Sequence, residues 1–213
     1  MLGLAALAEG NVDEAHALFE QLLSEEEATL NRPMYRGWAH YALGSYYLRV
    51  GDPTQARAQF ETALALFDPR THHVPRIDTQ AKLGLAEVRQ GDLRRAASKL
   101  RDNLDTARSA SYRWAVAKAL FSMAGLALAA NDLPRAARWF GAAEALSELT
   151  GGLDGDQQYL IEQDIAVLRE RLDPPALARY WAEGRVLDWQ RAVDEAVAFA
   201  ASVEANSNAV PTA

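Results

Sequence analysis

The sequence predicts an all-α fold, a solenoid of stacked helix pairs, and two observations carry that prediction. A Gly or Asn followed by Asp or Asn recurs at Gly10-Asn11, Gly51-Asp52, Gly91-Asp92 and Asn131-Asp132, at intervals of 41, 40 and 40 residues. Periods between about 20 and 50 residues mark units that bury their apolar faces only by stacking on neighbours. On both sides of each step, apolar or small residues lie three and four apart, which is the pattern of two amphipathic helices and a turn. Function is therefore expected on an extended surface and not in a catalytic cleft.

The first unit reads Leu2, Gly3, Ala6, Gly10, Asn11, Ala15, Phe19 and Leu22, and the second Leu43, Gly44, Tyr47, Gly51, Asp52, Ala56, Phe60 and Ala63. Gly51 is suited to the left-handed conformation that ends a helix, Asp52 to capping the next one, and Pro53 to its first position, where no N–H is needed. The third unit follows as Leu83, Gly84, Glu87, Gly91, Asp92, Ala96 and Leu100, and the fourth as Met123, Ala124, Ala127, Asn131, Asp132, Ala136, Phe140 and Ala143. Small residues (Gly3, Gly44, Gly84, Ala124) let one helix approach another closely, while large ones (Phe19, Phe60, Leu100, Phe140) fill the space between layers. Residues beyond the basic unit lengthen helices or form loops such as Arg70-Thr71-His72-His73-Val74.

After Leu149 the pattern breaks at Thr150-Gly151-Gly152-Leu153-Asp154-Gly155. A helix is expected from about Asp156 to Leu172, a second from Pro174-Pro175 to Glu183 with Gly184 interrupting it, and a last one capped by Asp188. The expected organisation is four repeats over residues 1–149, capping helices continuous with the solenoid over 150–203, and a disordered tail over 204–213, since the stretch from Ser202 onward lacks apolar periodicity. Met1 falls inside what ought to be a longer first helix, and Leu2, Leu4 and Leu7 would leave an apolar edge bare. The expectation is an excised part of a longer protein with its first unit truncated, and a native start with a short first helix is the alternative.

The succession Leu-Gly, aromatic, Gly, Ala, large apolar residue, Ala resembles the tetratricopeptide repeat over Met1 to Leu149, with a period near 40 where that repeat usually has about 34. The resemblance implies a right-handed superhelix of antiparallel helix pairs whose first helices line a concave groove. A second resemblance rests on Ala136-Ala137-Arg138-Trp139-Phe140-Gly141-Ala142-Ala143-Glu144-Ala145-Leu146 and on Tyr180-Trp181-Ala182-Glu183-Gly184-Arg185-Val186-Leu187. Together these are similar to the C-terminal part of LuxR-family and AfsR-like ATPase transcriptional regulators. It implies a sensor or interaction module attached to an ATP-binding switch domain and a DNA-binding domain. A free-standing scaffold, or the regulatory arm of a kinase or cyclase, are the alternatives.

Composition narrows the function classes. The chain has 213 residues, 49% of them hydrophobic, with no cysteine and a formal net charge of −7. Without cysteine there is neither a disulfide nor a thiolate metal site. No apolar run of about 20 residues and no basic leader occur, which places the chain in the cytoplasm, away from membranes. Its 29 acidic residues outnumber 22 basic ones, and the cluster Arg94, Arg95, Lys99, Arg101 reads as a solvated helix face, so this segment is not expected to touch nucleic acid. No phosphate loop, zinc-helix pair or nucleophile elbow appears, so neither catalysis nor a cofactor is expected. His72-His73 lack further ligands at metal-binding spacing. Asp154-Gly155-Asp156 has Ile165 where a calcium loop needs Glu, and reads as a capping turn.

The inward offsets of the repeat place Trp38, Tyr41, Ser45, Leu48 and Arg49 in the groove, with Asp78, Leu85 and Arg89 from the third unit and Lys118, Phe121 and Leu128 from the fourth. Aromatic area and fixed Arg geometry suit a protein, a peptide or a small acidic effector. Packing of Trp38 and Tyr41 against the neighbouring unit is the competing reading. Ser45 and Leu85 stand where a carboxylate clamp would need Asn. The oligomeric state is not readable.

Overall fold

The computed structural model describes residues 2–25, 32–152 and 155–206, and among these the protein forms eleven helices and no strand. Eight helices form four hairpins: α1 (Leu2–Glu9) with α2 (Val12–Glu25), α3 (Pro33–Arg49) with α4 (Pro53–Leu66), α5 (His73–Gln90) with α6 (Leu93–Ser109), and α7 (Arg113–Ala129) with α8 (Leu133–Glu148). Three more follow: α9 (Gly155–Arg171), α10 (Pro174–Arg185) and α11 (Trp189–Asn206).

The hairpin turns form for the reasons the sequence suggests. Gly10, Gly51 and Gly91 take φ of 90°, 83° and 82°, and Asn131 takes the same role at 66°. The left-handed step costs glycine nothing and asparagine little. Asp52, Asp92 and Asp132 then accept hydrogen bonds from the backbone N–H of Gln55, Arg95 and Arg135 at 3.0, 3.1 and 3.2 Å, satisfying donors that a helix start leaves unpaired.

Inside each hairpin a large side chain of the second helix presses on a small residue of the first. A Cβ on Gly44 would lie 2.5 Å from the Phe60 ring, and Gly3 and Gly84 meet Phe19 and Leu100 in the same way. Ala124 and Phe140 are both fully buried in the core of the last units. The second unit adds a further pair, since a Cβ on Gly37 would lie 2.6 Å from the Phe67 ring. Gly37 meets Phe67 while Gly44 meets Phe60, so the two helices run antiparallel.

Four expectations change, among them the bare apolar edge at Leu7. The segment Arg70–Val74 is not all loop, because α5 begins at His73. His72 instead folds back to accept the Asp68 backbone N–H at 2.9 Å. Gly184 does not interrupt a helix: α10 runs through it to Arg185. Residues Ser202–Asn206 belong to α11 and not to a tail, because Val203 packs on the core and Glu204 pairs with Arg101 at 2.8 Å. Residues 207–213 and Leu153-Asp154 lie outside the described residues, as do the side chains of Leu2 and Leu4. Leu7 is fully buried.

The last three helices pack on different parts of the array. Helix α10 packs on α8, and α11 lies across α6, α7 and α8. Helix α9 crosses the first helices, reaching α1, α3 and α7 before meeting α8 and α10. It therefore lies along the inner face of the array.

Candidate functional site

The groove predicted from the repeat offsets exists as a face, and its side chains are tied to one another. Tyr41 donates to Asp78 at 2.7 Å, and Lys118 binds the other oxygen of Asp78 at 2.9 Å. Lys82 donates to Ser45 at 2.9 Å and sits 5.2 Å from the centre of the Tyr41 ring. Asp78, Lys82 and Ser45 are all buried. This ladder links α3 to α5 and α5 to α7, so three successive units are fixed in register by hydrogen bonds that only charged or polar groups can make.

The competing reading, packing against the neighbouring unit, holds for Tyr41 through Asp78 and Lys82, whereas the ring contacts of Trp38 and Tyr41 lie elsewhere. Trp38 meets Tyr41 and Phe67 edge to face, at 5.3 and 5.5 Å between ring centres, and Tyr41 meets Phe60 at 6.0 Å. They pack within their own hairpin while Trp38 stays partly exposed. Phe121, Leu48, Leu85 and Leu128 are nearly closed off from solvent.

What closes them off is α9. Leu160 joins the cluster that contains Tyr41, Leu48 and Leu85, and Ile161 and Leu168 join that of the later units. Arg49, which the sequence assigned to ligand, stacks its guanidinium 3.9 Å from the centre of the Tyr159 ring. Arg89 binds Asp164 at 2.6 Å, with the Asp164 side chain only 5% exposed. Asp164 fits because Gly125 below it has no Cβ; one there would lie 3.2 Å from its Oδ2. Burial pushes the Asp164 carboxyl above its usual range, against the opposing pull of Arg89. Of the predicted site residues, Arg49, Arg89 and Tyr41 meet α9, whereas Ser45, Asp78 and Lys118 are tied to one another's helices.

Sequence reasoning missed Lys82, Tyr159 and Asp164. The signal for the last was present: Gln157, Leu160, Ile161, Asp164 and Leu168 are the buried stripe of α9, a helical spacing with an acid inside it.

The two motifs near the C-terminus meet each other. Helices α8 and α10 cross where Gly141 faces the Trp181 carbonyl and Gly184 faces the Arg138 carbonyl, so backbone touches backbone at both points. Trp181 stacks on Phe140 at 6.1 Å between centres and 12° between planes. Its indole N–H donates to Glu144 at 2.8 Å. Arg185 binds Glu144 and, at 2.8 and 3.1 Å, Glu148. That bond chiefly holds the Glu148 carboxyl below its usual range.

A different buried acid sits between α5 and α6. Glu87 is fully buried where Tyr47 and Ala127 stand in neighbouring units, with Arg95 Nε at 3.0 Å and Lys99 Nζ at 4.0 Å. Burial outweighs these cations and raises its carboxyl from 4.5 to about 7. Between those values the folded chain holds a proton that the unfolded chain lacks, so this group's stabilisation is full below pH 4.5 and lost as pH rises through 7. Glu87→Gln is expected to gain about 2 kcal/mol at pH 8 and almost nothing at pH 5, read from urea denaturation at the two pH values.

A cleft of about 810 Å³ opens between the start of α6 and the end of α11, lined by Asp92, Arg94, Arg95, Ser98 and Glu204. It is lined by charges of both signs, and it lies away from the inner face. Among the described residues no helix is long and apolar enough to cross a membrane.

No curated protein and no solved structure matches the chain. Residues 35–109, the two units from α3 to α6, match the family model for the tetratricopeptide repeat, and this stretch is therefore a tetratricopeptide region, of the helical-repeat kind that generally mediates protein–protein interaction.

Proposed function

We propose that the protein is the interaction and sensor module of a bacterial ATPase-coupled transcriptional regulator, and that it engages a protein or peptide partner through its concave face. The observation that carries this reading is the inner face itself. Trp38, Tyr41, Ser45, Arg49, Asp78, Arg89, Lys118 and Phe121 are brought onto one side of the array, and that side already holds a helix by an Arg–carboxylate pair and a cation–π contact. Packed aromatics and Arg forks are the groups from which partner recognition is usually built. The regulator context is supported by the interlock of the Gly-Ala-Ala-Glu and Trp-Ala-Glu-Gly-Arg motifs, which places the quoted residues in one interface.

Photo-crosslinking in the cells of origin tests this. A crosslinking amino acid at Trp38 or Lys118 should yield a discrete adduct, and one at exposed Gln55 on α4 should not. The adduct should weaken at least about tenfold in Arg49→Ala plus Arg89→Ala, which removes two cationic anchors, with helicity by circular dichroism unchanged. Adducts from Gln55 alone would move the interaction to the outer face. An adduct with an ATP-binding switch domain, in the same or a separate chain, is the result the regulator context requires.

A further inference from the structure

We infer that the concave face is a receptor for an acidic amphipathic helix and that α9 is the chain's own copy of that ligand, standing in the place the partner helix takes. This rests on the concave face being the interaction surface and adds the class of partner.

Three observations lead there. First, α9 spans the face lengthwise, from α1 and α3 to α7 and α8, and presents one stripe to it. Its fixed points are an aromatic ring on Arg49, Leu160 among Tyr41, Leu48 and Leu85, and Asp164 on Arg89 over Gly125. A helix laid in a groove is read through anchors at such spacings. An aromatic residue, the next residue Leu, and an acid four positions later is the corresponding code.

Second, the stripe carries charge as well as apolar area. Gln157 and Asp164 are both buried in it, and a buried ion pair discriminates strongly between partners that carry the charge and those that lack it.

Third, the neighbours of α9 are anchored without it. Helix α10 is held on α8 by the Gly141 and Gly184 crossing and by Arg185 on Glu144 and Glu148. Helix α11 is held on α6 and α8 by Arg101 on Glu204, Arg108 on Asp194, Arg138 on Glu195, and the Trp139–Phe199 contact. The connection before α9 contains Gly151 and Gly152, both at positive φ and with open space around them, and Asp173 with Pro174 starts α10 afresh after it. For this, α9 must leave the face while α10 and α11 stay, breaking the burial of Leu160 and Leu168 and the Arg171 bond to Asn131. An incoming helix then competes with α9 at the high effective concentration of a tethered ligand.

The test uses the full chain. In Leu160→Asp, α9 is weakened as an occupant and the face is otherwise intact. A fluorescein-labelled peptide with the sequence of residues 155–172 should bind this variant and bind the unaltered chain at least about tenfold more weakly, because α9 competes there. Asp164→Asn in the peptide, or Arg89→Ala in the chain, should each weaken binding about tenfold or more. No binding to a Leu160→Asp chain that keeps its helicity would overturn the inference, as would binding indifferent to both substitutions. Should Leu160→Asp fail to fold, amide hydrogen exchange of the unaltered chain decides: α9 opening ahead of α10 and α11 supports it, and all three opening together overturns it. Concave-face crosslinks without peptide binding would leave the interaction surface standing and reject an acidic helix as its partner. Peptide binding without such crosslinks would make α9 an internal strut and reject the interaction reading instead.

Discussion

Gly184→Ala is expected to destabilise the docked state of α10 by about 3 kcal/mol, the upper end of what overpacking typically costs. A methyl at Gly184 runs into the Arg138 carbonyl and the backbone nitrogen of Ala142. Backbone cannot rotate aside as a side chain can, so the helices must separate. Separation breaks the Trp181 stack on Phe140 and the hydrogen bonds from Trp181 and Arg185 to Glu144 together. Hydrogen exchange by mass spectrometry should show the amides of α10 losing protection by a factor of about a hundred or more, with α3 to α6 unchanged, since stacked units depend on their neighbours only. Ala178→Ser, on the exposed side of the same helix, should leave protection as it is. Equal behaviour of the two variants would mean that the crossing is not as close as described.

Phe60→Ala should cost about 3–5 kcal/mol of global stability by urea denaturation, the range for a large aromatic removed from a core. Phe60 is fully buried against Gly44, which has no side chain to relax into the vacated space, and it also carries the ring contact with Tyr41. The pair makes a sharper expectation. Gly44→Ala alone clashes with the ring and destabilises, but in the Phe60→Ala background the same methyl occupies part of the hole and should recover about 1 kcal/mol. Additive effects of the two substitutions would show that hole and knob are not coupled.

Much of the fold was legible because its causes are local. A left-handed residue followed by a capping acid ends one helix and starts the next whatever the rest of the chain does, so Gly51-Asp52 and Asn131-Asp132 marked their turns correctly. The alternation of small and large residues was legible too, although the large ones were expected between layers and Phe60 instead fills the space over Gly44 in its own hairpin. Gly184 shows where local reading fails. In isolation a glycine late in a helix is a stop signal, yet here it is kept inside α10 because another backbone needs its space. Ser202–Asn206 look polar and aperiodic, but Arg101 and the outer face of α6 hold them helical.

The groove divides in the same way. The tetratricopeptide resemblance assigned Trp38, Tyr41, Arg49, Asp78, Arg89 and Lys118 to the inward face of the first helices. It gave no account of their partners. Tyr41 and Lys118 converge on Asp78 only because α3, α5 and α7 stack side by side, and Arg89 meets Asp164 only because α9 folds back across them. By itself, then, the sequence determined the elements, their turns, the repeat and the faces each helix would bury, all set by interactions within about one hairpin's length. The destination of the last three helices was decided in three dimensions. Which of several apolar stripes covers which face depends on competition among distant surfaces, and that competition is settled by close backbone approach at Gly141 and Gly184 and by ion pairs between residues far apart in the chain.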